Sequence, residues 1–371
     1  MKILMHCVYY PPEVGGLESH VHYLCRALAQ MGHRVEVVTS HSIKETPRTE
    51  VMDGVHVHRT WFPGKSTMGW IAHAAVSVPA TVAAARDADI LHAQAFQSIP
   101  PFIAARTRSA APLVSTWHTS HFLRLATRPG WATVLGRLVA AGDANLAASA
   151  EIASVAESLA PNHHVQPVTN GVETSIFQAS EPVLPIPESG RRRLIIPRRL
   201  FDKNGVEFAV RAIPLIMERH DVEAVLVGDG PERGRLEALA GELGVRDRIH
   251  FLGARAHADM PGLLSSAELA IFPSLMEATS VAALECMACE IPVAASRVGG
   301  LPEIVDDSVG GLFAAADPAD LARVVSDLLS DPDLPSRGGA GRARVVNQWS
   351  NTRLAQYHLD LYEELIRRQV A

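Results

Sequence analysis

Four groups of residues in this chain have the types and spacing to do chemistry. The first is Tyr9-Tyr10-Pro11-Pro12-Glu13-Val14-Gly15-Gly16, a loop between a short apolar run and a helix-periodic segment. Paired glycines admit close backbone approach, and a helix N-terminus offers N–H groups and partial positive charge to an anion. The G-x-G-x-x-G dinucleotide pattern is absent, and a tight turn without a ligand suits the same residues. The second is Pro197-Arg198-Arg199-Leu200-Phe201-Asp202-Lys203. A forked guanidinium and an ammonium at a strand end make a clamp for a diphosphate, although a solvated loop carries such charges too. The third is the pair Glu277 and Glu285. Eight residues at the helical rise span about 12 Å, beyond the roughly 5–9.5 Å of a glycosidase carboxylate pair. Two such acids are better suited to bonding sugar hydroxyls, or lie on a helix surface. The fourth is His118, in Ser115-Thr116-Trp117-His118-Thr119 at the end of an apolar run. There an imidazole can bond a sugar or accept a proton, or sit buried with its bonds satisfied.

Three look-alikes fail. Gly64-Lys65-Ser66 resembles the end of a phosphate-binding loop, but Arg59 stands where that loop needs glycine. Asp87-Ala88-Asp89 has the form of a metal-binding pair but falls where a helix gives way to a strand. Cys286 and Cys289 share an apolar helical stretch with no second cysteine pair, which reads as core. None of the 17 histidines forms an H-E-x-x-H array, so no metal site is expected.

The elements that must position these residues alternate. Strand-like runs near 2–8, 34–39, 55–61, 89–93, 112–117, 143–148 and 165–168 are separated by helical spacing at 17–31, 67–86, 98–108, 121–141 and 150–160. A second series has strands near 193–197, 223–228, 248–252, 268–272, 291–295 and 311–313. Such alternation predicts βαβ units, hence parallel sheets covered on both faces. Between the series, Ser180–Gly190 holds three prolines and no period. The expected organisation is therefore a first domain over 1–178, a linker over 179–191, a second domain over 192–351 and a terminal amphipathic helix over 352–371. Ligands of such folds bind beyond the C-terminal strand ends.

The 371 residues exceed one ordinary core, and 47% hydrophobic residues exclude wholesale disorder. A net charge of −6 excludes a chain that coats nucleic acid. Four scattered cysteines give no disulfide framework and imply a reducing compartment. The first eight residues read as a strand rather than a leader. The uncharged stretch Ser66–Ala85 has the length of a membrane span, but Gly69, His73, Pro79 and its alanines predict a partly buried helix.

In chain order these residues resemble the family-4 retaining glycosyltransferases of the GT-B fold. The resemblance rests on Gly15-Gly16-Leu17-Glu18-Ser19-His20, Gly32-His33-Arg34-Val35, Asn170-Gly171-Val172-Glu173 with Phe177, and Arg198…Lys203-Asn204-Gly205. It continues through Val227-Gly228-Asp229-Gly230-Pro231, Phe251-Leu252-Gly253, Pro273-Ser274…Glu277…Glu285 and Gly299-Gly300-Leu301-Pro302-Glu303. It implies two Rossmann-like α/β domains whose parallel sheets face a deep cleft, with the last helix returning to the first domain. It implies transfer of a hexose-type sugar, with retention, from a UDP- or GDP-sugar to a glycan, lipid-linked or small-molecule acceptor. No cofactor or obligatory metal is implied. By resemblance Arg198 and Lys203 bind the donor diphosphate, and Glu277 with the N–H groups of Thr279 and Ser280, next to Ala278, cradles sugar and phosphate. Glu285 bonds the ribose, Gly253 and Arg255 hold the base, Gly16 meets the phosphates or acceptor, and His118 lies near the donor sugar. The chain departs from the family at Glu277-Ala278-Thr279-Ser280, usually Glu-Gly-Phe-Gly, at Pro197, usually Gly, and at Glu173, usually Asp. A non-catalytic nucleotide-sugar-binding subunit and a sugar-nucleotide epimerase are the alternatives on related folds.

Charge is unevenly spread. Residues 179–371 hold 21 Lys+Arg against 28 Asp+Glu, whereas 54–142 hold eight basic residues and two acids. The basic residues are Arg59, Lys65, Arg86, Arg106, Arg108, Arg124, Arg128 and Arg137, interleaved with Trp61, Phe62, Trp70, Phe122 and Trp131. This face is expected to meet an anionic membrane surface or a lipid-linked acceptor, in a cytoplasmic protein peripheral at the inner membrane face, unless it is simply a solvated basic face.

Overall fold

A computed structural model describes residues 1–13, 15–118 and 120–370. Val14 and Thr119, from two of the motifs above, and Ala371 lie outside the described residues. Contacts divide the chain into two units, Met1–Gly171 with Asn351–Ala371, and Val172–Ser350.

The first unit begins with β1 (Lys2–His6), α1 (Gly16–Gln30), β2 (Arg34–Ser40), β3 (Thr49–Met52) and β4 (Val55–Thr60). It continues with α2 (Thr67–Ala84), β5 (Ile90–Gln94), α3 (Ile99–Ala105) and β6 (Leu113–Trp117). Then come α4 (Ser120–Ala126), α5 (Pro129–Ala141), β7 (Ala144–Ala147), α6 (Ala150–Leu159) and β8 (Val165–Pro167). Its sheet runs β3-β4-β2-β1-β5-β6-β7-β8. All pairs are parallel except the β3–β4 hairpin. Every residue of β1, β5 and β6 is buried, as continuous apolar runs require when helices cover both faces.

Two local details depart from the sequence expectation. The strand β3 was not among those expected; Asp53 and Gly54, both at positive φ, close it onto β4 as an Asp-Gly hairpin turn. The single helix expected over 121–141 is two, because Pro129 holds the first position of α5 and disfavours helix at Arg128.

The second unit has β9 (Arg192–Ile196), α7 (Val206–Met217), β10 (Val222–Val227), α8 (Arg233–Glu242), β11 (Ile249–Gly253) and α9 (Met260–Leu264). After these come β12 (Leu269–Phe272), α10 (Val281–Ala288), β13 (Val293–Ser296), α11 (Leu301–Ile304), β14 (Gly310–Phe313), α12 (Pro318–Ser330) and α13 (Leu334–Arg344). The parallel sheet order is β11-β10-β9-β12-β13-β14. The chain therefore runs outward from β9 in one direction and resumes at β12 on its other side. Loops after β9 and β12 flank a strand-order switch, where parallel sheets bind ligands. In the first unit β1 and β5 play the same part.

The last helix, α14 (Asn351–Val370), belongs to the first unit, where Leu354, Ala355, Leu359 and Tyr362 share a core with Val21, Leu24 and Leu28 of α1. The unit boundaries differ from the expected limits of 178 and 192. Val172 and Phe177 are core residues of the second unit, and Val172 N–H donates to Trp349 O at 2.8 Å. The expected linker is also laid along that unit: Val183 N–H donates to Gly262 O, and Leu184 and Ile186 pack on its core.

Candidate active site

The second unit gathers its charged residues at the switch between β9 and β12. Arg198, two residues past β9, is largely buried, and its Nη2 reaches three acceptors. It donates to Asn204 Oδ1 at 2.9 Å, to Ser274 Oγ at 2.8 Å and to Glu277 Oε2. The guanidinium also lies 5.6 Å from the centroid of the Phe272 ring. Asn204 is fixed in turn by donating to Arg199 O at 2.6 Å, and Ser274 O accepts from Ser296 Oγ at 2.6 Å. Lys203 is exposed on the single turn Asp202–Asn204, and its carbonyl accepts from Leu275 N–H at 2.9 Å, which stitches the two loops together. Gly205 makes this closeness possible: it sits at φ +60°, and a Cβ there would fall 2.0 Å from Pro273 O.

Two buried polar atoms in this cluster lack a protein partner, Arg198 Nε and Thr279 Oγ1. Buried polar atoms are normally bonded, so each of these has a hydrogen bond still to make. Thr279 and Ser280 lead into α10, where Ser280 Oγ caps the helix by accepting from Ala283 N–H at 3.3 Å. The start of α10, four residues after Glu277, offers N–H groups and partial positive charge. Ala278 lies half-buried between Glu277 and these residues.

The other expected donor-side residues lie further off. Glu285 is buried in α10 and accepts from or shares a proton with His257 Nε2 at 2.9 Å. Burial raises its carboxyl pKa, opposed in part by His257. Its expected bond to a ribose thus has an imidazole already at one oxygen. Gly253 ends β11 at φ +73°, its carbonyl accepting from Gly228 N–H at 2.9 Å. Arg255 is exposed on the loop beyond. Arg199 is exposed too, its guanidinium 5.7 Å from the Phe201 ring centroid, so of the neighbouring arginines Arg198 holds the cluster. The look-alikes behave as core and cap. Cys286 and Cys289 are buried free thiols with pKa values pushed up by burial, and Asp89 accepts from Lys2 N–H at 2.6 Å. Among the described residues no group of three or more His, Cys, Asp or Glu is placed to hold a metal.

In the first unit Gly16 is exposed at the start of α1. His118 follows β6 and is only 3% exposed. Its Nε2 meets Gln94 Oε1 at 2.9 Å, while its Nδ1 is buried without a partner. Since an amide oxygen can only accept, Nε2 carries the proton and Nδ1 keeps its lone pair. Gln94 sets this from the end of β5, next to Ala95, whose φ of +80° is strained for a residue with a Cβ. The Gln94 amide nitrogen faces His92 Nε2 at 3.3 Å; Thr116 Oγ1 reaches the same nitrogen at 2.7 Å, and Tyr362 Oη meets His92 Nδ1 at 2.6 Å. Burial depresses the His118 pKa to about 3, and the His20, His92 and His358 values are also lowered. A histidine so held is neutral. Nδ1 keeps its lone pair toward any hydroxyl that reaches it, and burial works against its protonation.

Type and spacing brought Arg198, Lys203 and Glu277 into view, and the family resemblance added Thr279 and Ser280; all five stand on the loops that follow β9 and β12. The positioning partners Asn204, Ser274, Gln94 and His257 carried no assigned role. Asn204 and Ser274 stood inside quoted motifs; Gln94 had only its place at a strand end as a signal. The basic stretch 54–142 is also less uniform than its composition. Arg59 is buried, bonded to Glu50 Oε1 at 2.5 Å and to Pro11 O at 2.8 Å, and Phe122 is core.

Known proteins share this architecture and sequence. Residues 14–176 match Glycosyltransferase Family 4, and residues 191–331 match Glycosyl transferases group 1. Glycogen synthase of Mycobacterium tuberculosis is 30% identical, over 94% of this chain and 90% of its own length. An uncharacterised glycosyltransferase of Methanocaldococcus jannaschii is 29% identical, over 89% of this chain and 90% of its own. Among solved structures, sucrose-phosphate synthase of Thermosynechococcus elongatus superposes with a TM-score of 0.86 at 22% identity, covering 99% of each chain. Anabaena HepE in complex with UDP-glucose gives 0.74 at 19% identity, over 98% of this chain and 100% of its own. With two parallel α/β units and sequence matches along both, the chain belongs to the family-4 glycosyltransferases of the GT-B fold.

Proposed function

We propose that this glycosyltransferase moves a hexose-type sugar from a nucleotide diphosphate sugar, UDP- or GDP-linked, to a glycan, lipid-linked or small-molecule hydroxyl, with retention of configuration. The observation that carries the reading is the cluster of Arg198, Asn204, Ser274 and Glu277, with Arg198 Nε and Thr279 Oγ1 buried and unpartnered beside a helix start. A diphosphate offers acceptors to both the guanidinium and the hydroxyl. As the glycosidic bond breaks, charge grows on the leaving diphosphate. Fixed cations at Arg198 and Lys203 stabilise that charge more than the ground state, which is the condition for catalysis. Two cations and a helix start fit a reaction that proceeds without an added metal. The UDP-glucose held by HepE, whose fold this chain shares, is in keeping with the donor class. On the first unit, Nδ1 of His118 accepts from a sugar hydroxyl and so orients it.

A thermal-shift panel of UDP, GDP, ADP and their sugars tests the donor. One nucleotide held a hundredfold to a thousandfold above its dissociation constant is expected to stabilise the protein by about 3–4 kcal/mol. No stabilisation by any nucleoside diphosphate refutes the reading. With the donor known, proton NMR of the first product reports the anomer: the donor's configuration is expected, and inversion refutes retention.

A further inference from the structure

The helix α2 is built inside out. Its buried stripe is Gly69, His73, Ser77 and Thr81, four small or polar residues one helical turn apart. Two of them bond the sheet, Thr81 Oγ1 donates to Ser77 O within the helix at 2.9 Å, and Gly69 packs on the loop before it. His73 Nε2 meets Thr60 Oγ1 at 3.0 Å, Ser77 Oγ meets His6 Nε2 at 3.0 Å, and a Cβ on Gly69 would lie 1.9 Å from Gly64 O. The outward face is apolar: Met68 is 72% exposed, Ile71 51% and Val76 42%, and Ala75, Pro79 and Ala83 are exposed with them. A helix on a protein surface normally turns charge to water, yet no residue from Ser66 to Ala85 is charged. Ile103 of the adjoining α3, 45% exposed, extends the patch.

The rim selects the occupant. Exposed Lys65 and Arg86 stand at the two ends of α2, Lys65 sharing its charge with Glu13 at 2.8 Å. Exposed Arg124 contacts His121, whose ring packs 5.1 Å from that of Trp70 in the first turns of α2. Trp61, just before the helix, is 52% exposed. The only acids between 54 and 142, Asp87 and Asp89, are both tied to Lys2. A second copy of the chain fits poorly, because a symmetric contact sets basic rim against basic rim. The helix is long and apolar enough to cross a membrane, but its buried polar stripe is bonded to β1 and to Thr60 of β4, which holds it against the sheet.

We infer that the outer face of α2 lies flat on an anionic phospholipid surface, with Met68, Ile71 and Val76 among the acyl chains and Lys65, Arg86 and Arg124 at the headgroups. This goes beyond the donor reading and needs no turnover, so the two fail separately. The test is co-sedimentation of the full chain with vesicles of phosphatidylcholine alone or with phosphatidylglycerol. At least fivefold more protein is expected on the anionic vesicles, falling toward the neutral level at 0.5 M salt, where screening is severe. The triple variant Met68→Glu, Ile71→Glu, Val76→Glu changes exposed positions outside the active site. It is expected to lose at least fivefold of the binding while keeping the melting temperature and nucleotide-induced thermal shift of the parent. Arg86→Gln with Arg124→Gln is expected to remove the preference for anionic vesicles. Equal sedimentation of parent and triple variant overturns the inference. So does a parent dimer that the triple variant dissociates, which would assign the face to a second copy.

Discussion

At the ends of β5 and β6 the first unit presents buried neutral groups. Gln94, Thr116, His92, His118 and Tyr362 pass hydrogen bonds from one to the next, and burial keeps the histidines uncharged. At the ends of β9 and β12 the second unit presents formal charges: Arg198 and Glu277 in contact, Lys203 on the adjoining turn. The positions are topologically alike, each beside a strand-order switch, so the fold does not dictate the difference. What differs is the part of the reaction each can serve. A neutral array of fixed donors and acceptors orients hydroxyls without binding anions, whereas a charged cluster stabilises phosphate that gains charge in the transition state.

The largest expected effect comes from removing a cation. Arg198→Ala and Lys203→Ala should each lower the transfer rate at saturating donor by about 10²–10³-fold, the loss typical of a transition-state charge partner. Initial-rate assays on variants with native circular dichroism check this. Near-parental turnover in either would break the assignment of charge stabilisation to the second unit.

The two units also respond to acid differently. His20, His92, His118 and His358 have folded pKa values below their ordinary one, His358 at about 4 and His118 at about 3. Between those values and about 6.5 the unfolded chain binds more protons than the folded one. Their contribution is therefore complete above about pH 6.5 and drains as pH falls, by about 2 kcal/mol at pH 5 for each histidine that stays neutral. Glu285 works in the opposite sense: its raised pKa favours the folded second unit at low pH and loses that contribution as pH rises through the raised value. Hydrogen exchange between pH 7.5 and 5 should show protection lost first around β5, β6 and α14. Simultaneous loss in both units would break the contrast.

Much of the charged site was legible in the sequence, and little of the neutral one was. Arg198, Lys203 and Glu277 each suit a solvated loop or helix surface as well, and it was their order in the chain, each just after an apolar strand and matching a family pattern, that exposed them. Gln94 and Thr116 are ordinary residues whose role depends on which strands become neighbours; β5 lies between β1 and β6 only in the folded sheet. The periodic strands were readable because burial on both faces demands continuous apolar runs. By contrast β3, half-exposed at the sheet edge, has no such run, and Asp53-Gly54 was its only signal. The apolar length of α2 was plain, but not that its polar stripe would be the buried one, since hydrogen bonds to His6 and Thr60 reverse the usual rule.

A smaller effect sharpens the neutral half of the comparison. If Gln94 acts by fixing the His118 tautomer, Gln94→Leu should lower kcat about tenfold, within the range of a misplaced positioning group, with KM for the donor little changed. Gln94→Glu should lower it similarly and also add an ionisation to the pH–rate profile, because a carboxylate beside Nε2 raises the imidazole pKa toward neutrality. A profile identical to the parent's in Gln94→Glu would reduce Gln94 to a packing residue.

The smallest expected effect is the most discriminating for the charged half. Arg199 is joined to Arg198 in sequence and has the same side chain, yet it is exposed and meets only the ring of Phe201 among the aromatic faces. An exposed cation–π contact is worth about 0.5–1 kcal/mol to stability and has no transition-state component. Arg199→Ala should therefore leave the transfer rate within about twofold of the parent, where Arg198→Ala loses it by orders of magnitude. Steady-state rates of the two variants side by side decide the matter. If the larger loss fell on Arg199, the diphosphate contact would belong to the exposed guanidinium, and the buried Arg198–Glu277 pair would serve to hold the β9 and β12 loops together.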